Sequence, residues 1–107
     1  MATYGYVVDL RGEVEVPKNG ILSRTLHEDE HITLTLFGFD AGQELTEHTS
    51  TRAAIIEILD GEADIVLDGE TQPGRAGTWI AMPPGMRHAI RATTPMRMAL
   101  TLLLPPR

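Results

Sequence analysis

A chain of 107 residues with 42% hydrophobic and 22% charged residues has the size and composition of a single globular domain. Fifteen acidic against nine basic side chains give a formal net charge of −6, and no basic cluster occurs, so we expect no nucleic acid partner. The absence of cysteine excludes disulfides and sulfur-based metal sites, so any metal would need nitrogen and oxygen ligands.

The chain carries no signal for a membrane. No apolar run approaches the roughly 20 residues that a membrane-spanning helix needs. The N-terminal residues contain no basic segment followed by an apolar block, as a secretory signal would. We therefore expect one domain over residues 1–107, located in the cytoplasm and without a membrane partner.

The first half of the chain alternates apolar and polar residues with a period of two, which predicts strands and little helix. The predicted strands in this half are residues 6–10, 12–16, 21–26 and 32–39. A turn over residues 17–20 contains an Asn-Gly pair, and the charged residues 27–30 connect the last two of these strands.

The second half continues the same pattern after a turn over residues 40–42. The predicted strands here are residues 53–59, 63–67, 78–82, 88–92 and 96–104. Asp60-Gly61 and Asp68-Gly69 are turn signals, and residues 72–77 are predicted as a loop because they contain one proline and two glycines. About eight to ten short strands at this spacing predict an all-β sandwich or barrel with little or no helix.

Two of the four histidines stand at positions that indicate a site. His48 and His88 each follow a glycine-bounded turn and lead towards a predicted strand, which in a barrel places both imidazoles near the mouth. His27 and His31 bracket an exposed acidic connection, and their spacing would suit a metal only on a helix. We expect no ligand role for this second pair.

The residues around His48 and His88 resemble the two motifs of the cupin family. The first motif has the pattern glycine, five residues, His-x-His, three or four residues, glutamate, six residues, glycine, and here it reads G42-QELTE-H48-T-S50-TRA-A54-IIEILD-G61. The second has the pattern glycine, five residues, Pro-x-Gly, two residues, histidine, three residues, asparagine, and here it reads G77-TWIAM-P83-P-G85-MR-H88-AIR-A92. The resemblance spans residues 42–92 and implies a double-stranded β-helix, or jelly-roll barrel, of the small single-domain cupin 2 type.

The sequence departs from the family at two metal-ligand positions. Cupins that hold a metal typically use two histidines and a glutamate of the first motif and the histidine of the second. Here Ser50 and Ala54 replace one histidine and the glutamate, so the resemblance leaves His48 and His88 as ligands of one divalent transition metal (Mn, Fe, Ni or Zn) or of none. Glu44 could fold back as a further ligand.

Three interpretations of the histidine pair stay open. The first is an interior pocket, lined by the histidines, Ser50, Met82 and Met98, that binds a small molecule or a weakly held divalent metal. The second is a metal-dependent enzyme of the oxygenase, isomerase or lyase class with an incomplete protein ligand set. In the third, the imidazoles only satisfy one another, a water or Ser50 inside the fold.

Two features point to a partner subunit. Small cupins usually form dimers, often through an N-terminal strand, and residues 1–20 contain a segment apolar enough to pair with a neighbouring sheet edge. Trp79 alternates with Ile80 and Met82, so it points outwards if they point into the barrel, as an interface residue would. We therefore predict a homodimer.

Overall fold

The computed structural model describes residues 3–105 and consists of nine antiparallel strands and one short 3-10 helix. The helix, η1, spans Leu10–Glu13. The strands are β1 (Ile21–Glu28), β2 (Ile32–Phe39), β3 (Glu44–His48), β4 (Ala54–Asp60), β5 (Glu62–Leu67), β6 (Glu70–Arg75), β7 (Trp79–Met82), β8 (His88–Ala92) and β9 (Met96–Leu103). The all-β prediction is confirmed.

The strands form two sheets that pack face to face as a jelly-roll sandwich. One sheet has the order β1-β2-β9-β4-β7 and the other the order β3-β8-β5-β6. Successive side chains of a strand point to opposite faces of its sheet, so one set lies between the two sheets. In β4, Ile56 and Ile58 lie there, while Glu57 is exposed. The central core consists of Phe39, Ala54, Ile56, Ile58, Ala63, Ile65, Ile80, Met82, Ile90, Ala92, Met96 and Met98.

A second, smaller core lies on the outer face of the five-stranded sheet. Val14, Leu36 and Ala99 are buried there, beneath the chain that precedes β1. Gly38 of β2 permits this packing, because a Cβ at that position would overlap the carbonyl oxygen of Glu15. The N-terminal chain therefore lies across the sheet face.

This placement corrects the two strands predicted at residues 6–10 and 12–16. The carboxylate of Asp9 accepts a hydrogen bond from Arg11 N and caps η1, and the chain on either side of η1 pairs with no strand. The alternation of apolar residues indicated partial burial correctly but not the backbone conformation. The first two residues of the predicted 1–20 interface segment lie outside the described residues.

Two edge strands of the four-stranded sheet were missed. Residues 44–48, for which no strand was predicted, form β3, whose polar side chains are mostly exposed because the strand lies at an edge. Residues 72–75, predicted as a loop, belong to β6, where the edge position tolerates Pro73. Gly74 is buried there, and a Cβ at that position would lie 2.6 Å from Ile65 Cδ1.

The predicted hairpin at Asp68-Gly69 is confirmed. Both residues adopt positive φ, 50° and 87°, which is the backbone of a two-residue hairpin turn between β5 and β6. Strand β1 extends two residues into the predicted charged connection, with a register shift between Thr25 and His27.

Candidate functional site

His88 is positioned by the turn that precedes β8. Gly85 adopts a φ of +81°, a left-handed conformation that glycine takes without strain, and its N–H donates to the Ser50 carbonyl over 2.7 Å. This bond ties the turn to the loop that follows His48. His88 then begins β8 and is only 6% exposed.

His48 ends β3 and lies directly opposite His88 in the β3–β8 pairing. The centroids of the two imidazole rings are 4.1 Å apart and their planes are inclined by 59°. The predicted convergence of two histidines forty positions apart is confirmed. His48 is the exposed member of the pair, at the end of the sandwich.

Backbone carbonyls determine which nitrogen of each ring carries a proton. His48 Nδ1 lies 2.8 Å from the Thr46 carbonyl oxygen, and His88 Nδ1 lies 3.2 Å from the Met86 carbonyl oxygen. A carbonyl only accepts hydrogen bonds, so each Nδ1 must donate. When the rings are neutral, each Nε2 is therefore unprotonated and offers a lone pair.

A cleft of about 410 Å³ opens beside the two rings. It combines hydroxyl groups with aliphatic walls, and its lining residues are His48, Thr49, Ser50, Thr51, Ala54, His88, Leu100 and Leu102. This volume lies within the range of small-molecule sites. Ser50 Oγ accepts a hydrogen bond from Arg52 N over 3.1 Å, which leaves the Ser50 hydroxyl hydrogen free to donate.

The two methionines predicted to line the site lie elsewhere. Met82 and Met98 are 4% and 1% exposed in the core between the sheets, and neither borders the cleft beside the histidines. Along β9, the side chains of Leu100 and Leu102 occupy the cleft wall on the same face as Met98. Their register opposite Ile56 and Ala54 places them nearer the histidine end, and this register is not apparent from the sequence of β9 alone.

Glu44, considered above as a further ligand, does not reach the histidines. Glu44 pairs with Arg91 at the far end of β3 and is exposed, and Glu57 is exposed while Ala54 is buried, as strand parity predicts. Arg52 lines neighbouring surface clefts but not the one that contains the histidines. His27 instead contacts Asp29, with 2.6 Å between Nε2 and Oδ2.

The donor set does not fit a catalytic metal centre. Within residues 3–105, no group of three or more His, Cys, Asp or Glu side chains is arranged to hold a metal ion. The cleft brings together two imidazoles, with Ser50 and Ala54 beside them. Catalytic zinc sites use three protein ligands, so this site is one ligand short of the minimum.

Burial lowers the pKa of His88 below its ordinary value of 6.5, and neighbouring His48 lowers it further, against the opposing effect of the Met86 carbonyl. As pH falls through 6.5, the unfolded chain therefore binds a proton at this residue before the folded protein does. Because of His88, the free energy of unfolding therefore falls on acidification, by at most about 1.4 kcal/mol per pH unit.

We expect His88→Gln to reduce the loss of stability between about pH 7.5 and about pH 5.5, because the replacement does not titrate. Urea unfolding at both pH values measures the difference. His31→Gln is the matched control, because His31 is exposed and does not line the cleft, and it should retain the pH dependence of the unsubstituted protein. An unchanged pH dependence in His88→Gln would contradict the assignment.

Two packed antiparallel sheets with paired histidines at one end define a small jelly-roll protein with a candidate binding cleft. The cupin domain model matches residues 35–103, and the chain belongs to the cupin family. Among curated proteins, none matches the chain significantly. Among residues 3–105 there is no helix that is long and apolar enough to span a membrane.

Solved structures with the same fold are numerous. A conserved protein of unknown function from Streptococcus pyogenes is 36% identical, with a TM-score of 0.86 over 99% of this chain and 93% of that one. A cupin superfamily protein from Desulfitobacterium hafniense is 23% identical, with a TM-score of 0.86 over 96% and 94% of the two chains. Salicylate 1,2-dioxygenase from Pseudoaminobacter salicylatoxidans is 15% identical, with a TM-score of 0.74 over 86% of this chain and 28% of that one, a likeness of fold alone.

Proposed function

We propose that the cleft beside His48 and His88 binds a small molecule that donates hydrogen bonds. The observation that carries this proposal is the use of both Nδ1 protons by backbone carbonyls, because it leaves two adjacent Nε2 lone pairs as acceptors. The lowered pKa of His88 favours the neutral ring at physiological pH, so an acceptor is available there.

The walls of the cleft support a ligand that combines hydroxyl groups with an aliphatic frame. Leu100 and Leu102 offer apolar contact, while Ser50, Thr49 and Thr51 can donate or accept. A compact molecule with adjacent hydroxyl groups would pair one group with each imidazole. A free carboxylate is a poorer match, because two unprotonated nitrogens offer it no hydrogen.

Binding of a compact diol tests the proposal. We expect cis-1,2-cyclohexanediol to raise the melting temperature of the protein, whereas its dimethyl ether, which has no donor, should not. His48→Ala and His88→Ala should each weaken binding at least about tenfold, or about 1.4 kcal/mol. His31→Ala is the control and should bind as the unsubstituted protein does, because His31 lies outside the cleft. Equal shifts from the diol and its ether, or unaltered binding in both cleft variants, would contradict the proposal.

The second candidate is a metal-dependent enzyme of the oxygenase, isomerase or lyase class with an incomplete protein ligand set, in which water or substrate would complete the coordination, or a carrier of a weakly held divalent metal. Two adjacent imidazole lone pairs favour it, and the dioxygenase from Pseudoaminobacter salicylatoxidans shares the fold. Elemental analysis of protein purified without a histidine tag separates the candidates. Stoichiometric metal that is lost in both His48→Ala and His88→Ala would support this candidate over the first. A cytoplasmic location stays a prediction of the sequence.

A further inference from the structure

A second cleft lies on the outer face of the five-stranded sheet, away from the paired histidines. It has a volume of about 500 Å³ and opens between β1, β2 and residues 3–16 of the chain before β1, which we call the strap. Apolar side chains form most of its wall: Tyr6, Val7 and Leu10 of the strap and Leu26, Ile32 and Leu34 of the sheet. The volume lies within the range of small-molecule sites.

A β-bulge in β1 turns a histidine into this apolar cleft. Neighbouring residues of a strand normally point to opposite faces of the sheet, yet Leu26 and His27 both line the cleft. From Thr25 to His27, two steps along β1 match the single step from Thr35 to Leu34 on β2. Such an extra residue redirects the side chains beside it. The bulge therefore explains how one imidazole comes to lie among aliphatic groups.

Asp29 determines which nitrogen of the His27 ring carries a proton. Its Oδ1 accepts hydrogen bonds from His31 N over 2.7 Å and from Ile32 N over 3.0 Å, and its Oδ2 lies 2.6 Å from His27 Nε2. The hydrogen bond from His27 is the largest of the effects that hold the pKa of Asp29 well below its ordinary range. An ionised carboxylate only accepts, so Nε2 must donate. In the neutral ring, the lone pair is therefore at Nδ1.

The Nδ1 edge of the His27 ring faces the strap at Gly5. A Cβ on Gly5 would lie 2.8 Å from Nδ1 and 3.2 Å from Cε1. Within residues 3–105, no protein group forms a hydrogen bond with Nδ1, and the His27 side chain is 34% exposed. Glycine at this point of the strap thus leaves the acceptor uncovered, whereas any other residue would place carbon against it.

We propose that this cleft is a second binding site, for a small neutral phenol whose hydroxyl group donates a hydrogen bond to His27 Nδ1. His27 was expected to have no ligand role, and the bulge and Asp29 together give it the geometry of an acceptor. The aliphatic wall suits the apolar ring of a phenol, and Tyr6 offers it an aromatic neighbour.

Charge and hydrogen bonding define the ligand class. A phenol hydroxyl is a stronger donor than an aliphatic one, and a single acceptor matches a single hydroxyl group. A carboxylate is a poor match, because Nδ1 offers it no hydrogen and Glu28, Asp29 and Glu30 would repel it. The site thus differs from the cleft beside His48 and His88, where two acceptors lie side by side.

Nuclear magnetic resonance of the full chain tests the proposal with p-cresol and with its methyl ether, 4-methylanisole, which has no donor. We expect p-cresol to bind with a dissociation constant of about 1 mM, as suits a ligand of this size. It should shift the Nδ1 resonance of His27. The ether should bind at least about tenfold more weakly, because it leaves Nδ1 unpaired. The ring resonances of His48 and His88 report separately on the other cleft.

Three variants locate the contact. His27→Phe keeps a ring but removes the acceptor, so it should bind p-cresol and the ether equally, as measured by the amide resonances of Ile32 and Leu34 in the cleft. Gly5→Ala should weaken p-cresol binding, because the added Cβ covers Nδ1. His31→Phe is the matched control and should bind as the unsubstituted protein does, because His31 is exposed and does not line this cleft.

Asp29→Asn tests the position of the proton. The side-chain oxygen is still required by the N–H groups of His31 and Ile32, so the new amide N–H faces His27 Nε2 and donates to it. The proton of the neutral ring then moves to Nδ1, and the preference for p-cresol over the ether should disappear. Circular dichroism checks that each variant is folded. Absence of a p-cresol shift at His27, equal binding of the two compounds by the unsubstituted protein, or an undiminished preference in His27→Phe would overturn the proposal.

Discussion

Replacing Ser50 by histidine and Ala54 by glutamate together is expected to create a metal site where the natural chain has two imidazoles. Both positions line the cleft that contains His48 and His88, so the new side chains can join the existing pair. Two added ligands would complete a set of three nitrogens and one carboxylate, which suits a divalent transition metal. We expect the dissociation constant for Zn²⁺ or Mn²⁺ to fall at least about 1000-fold, or about 4 kcal/mol.

The double variant should also show the cost of its new carboxylate. Ala54 is 3% exposed, and a glutamate placed there without a metal buries a charge, so the metal-free variant should melt below the natural protein. Added metal should raise the melting temperature, because the ligand binds only the folded state. Calorimetric titration with Zn²⁺ measures the affinity, and differential scanning calorimetry measures the stability.

Two further variants test the geometry of the new site. The combination Ser50→His with Thr93→Glu introduces the same residues, but with the carboxylate at an exposed position outside the cleft, and should gain much less affinity. Adding His48→Ala to the original pair of substitutions should abolish most of the gain. Equal affinities in the correct and displaced variants would show that the cleft does not have the arrangement described.

Much of the fold follows from the sequence because burial imposes alternation. Strands in the interior of a sheet, such as β2 and β8, were predicted with correct limits, since their buried faces require apolar residues at every second position. The edge strands β3 and β6 were not, because an edge strand needs little burial and tolerates polar residues and proline. Residues 6–10 and 12–16 were predicted as strands because some of their apolar residues, such as Leu10 and Val14, pack on a sheet face.

The candidate site was predictable only in part. The two motifs predicted that His48 and His88 lie close together near the mouth of the barrel. The structure places them opposite one another on neighbouring strands. The assignment of Nδ1 as the donor on both rings depends on the carbonyls of Thr46 and Met86, two residues before each histidine, and nothing in the residue types indicates this. Backbone direction at the end of a turn decides such bonds.

A large loss of stability is expected from Gly61→Ala, in the turn between β4 and β5. Gly61 adopts a φ of +80°, and a Cβ there would overlap the Pro95 carbonyl oxygen and lie 2.6 Å from Met96 Cα. Met96 begins β9 and is fully buried, so the backbone there cannot move aside. Strain and overlap together should lower the free energy of unfolding by about 3 kcal/mol or more.

Gly69→Ala separates the two contributions. Gly69 has a similar φ of +87° in the turn between β5 and β6, but no atom lies within 4 Å of a Cβ built there. This variant should lose only the cost of the left-handed conformation, about 1 kcal/mol. Urea unfolding of both variants gives the comparison, and equal losses would contradict the close approach of the turn to β9. The glycine that ends the first cupin motif is thus expected to serve packing rather than chemistry, because it lets one end of the sandwich close over Met96.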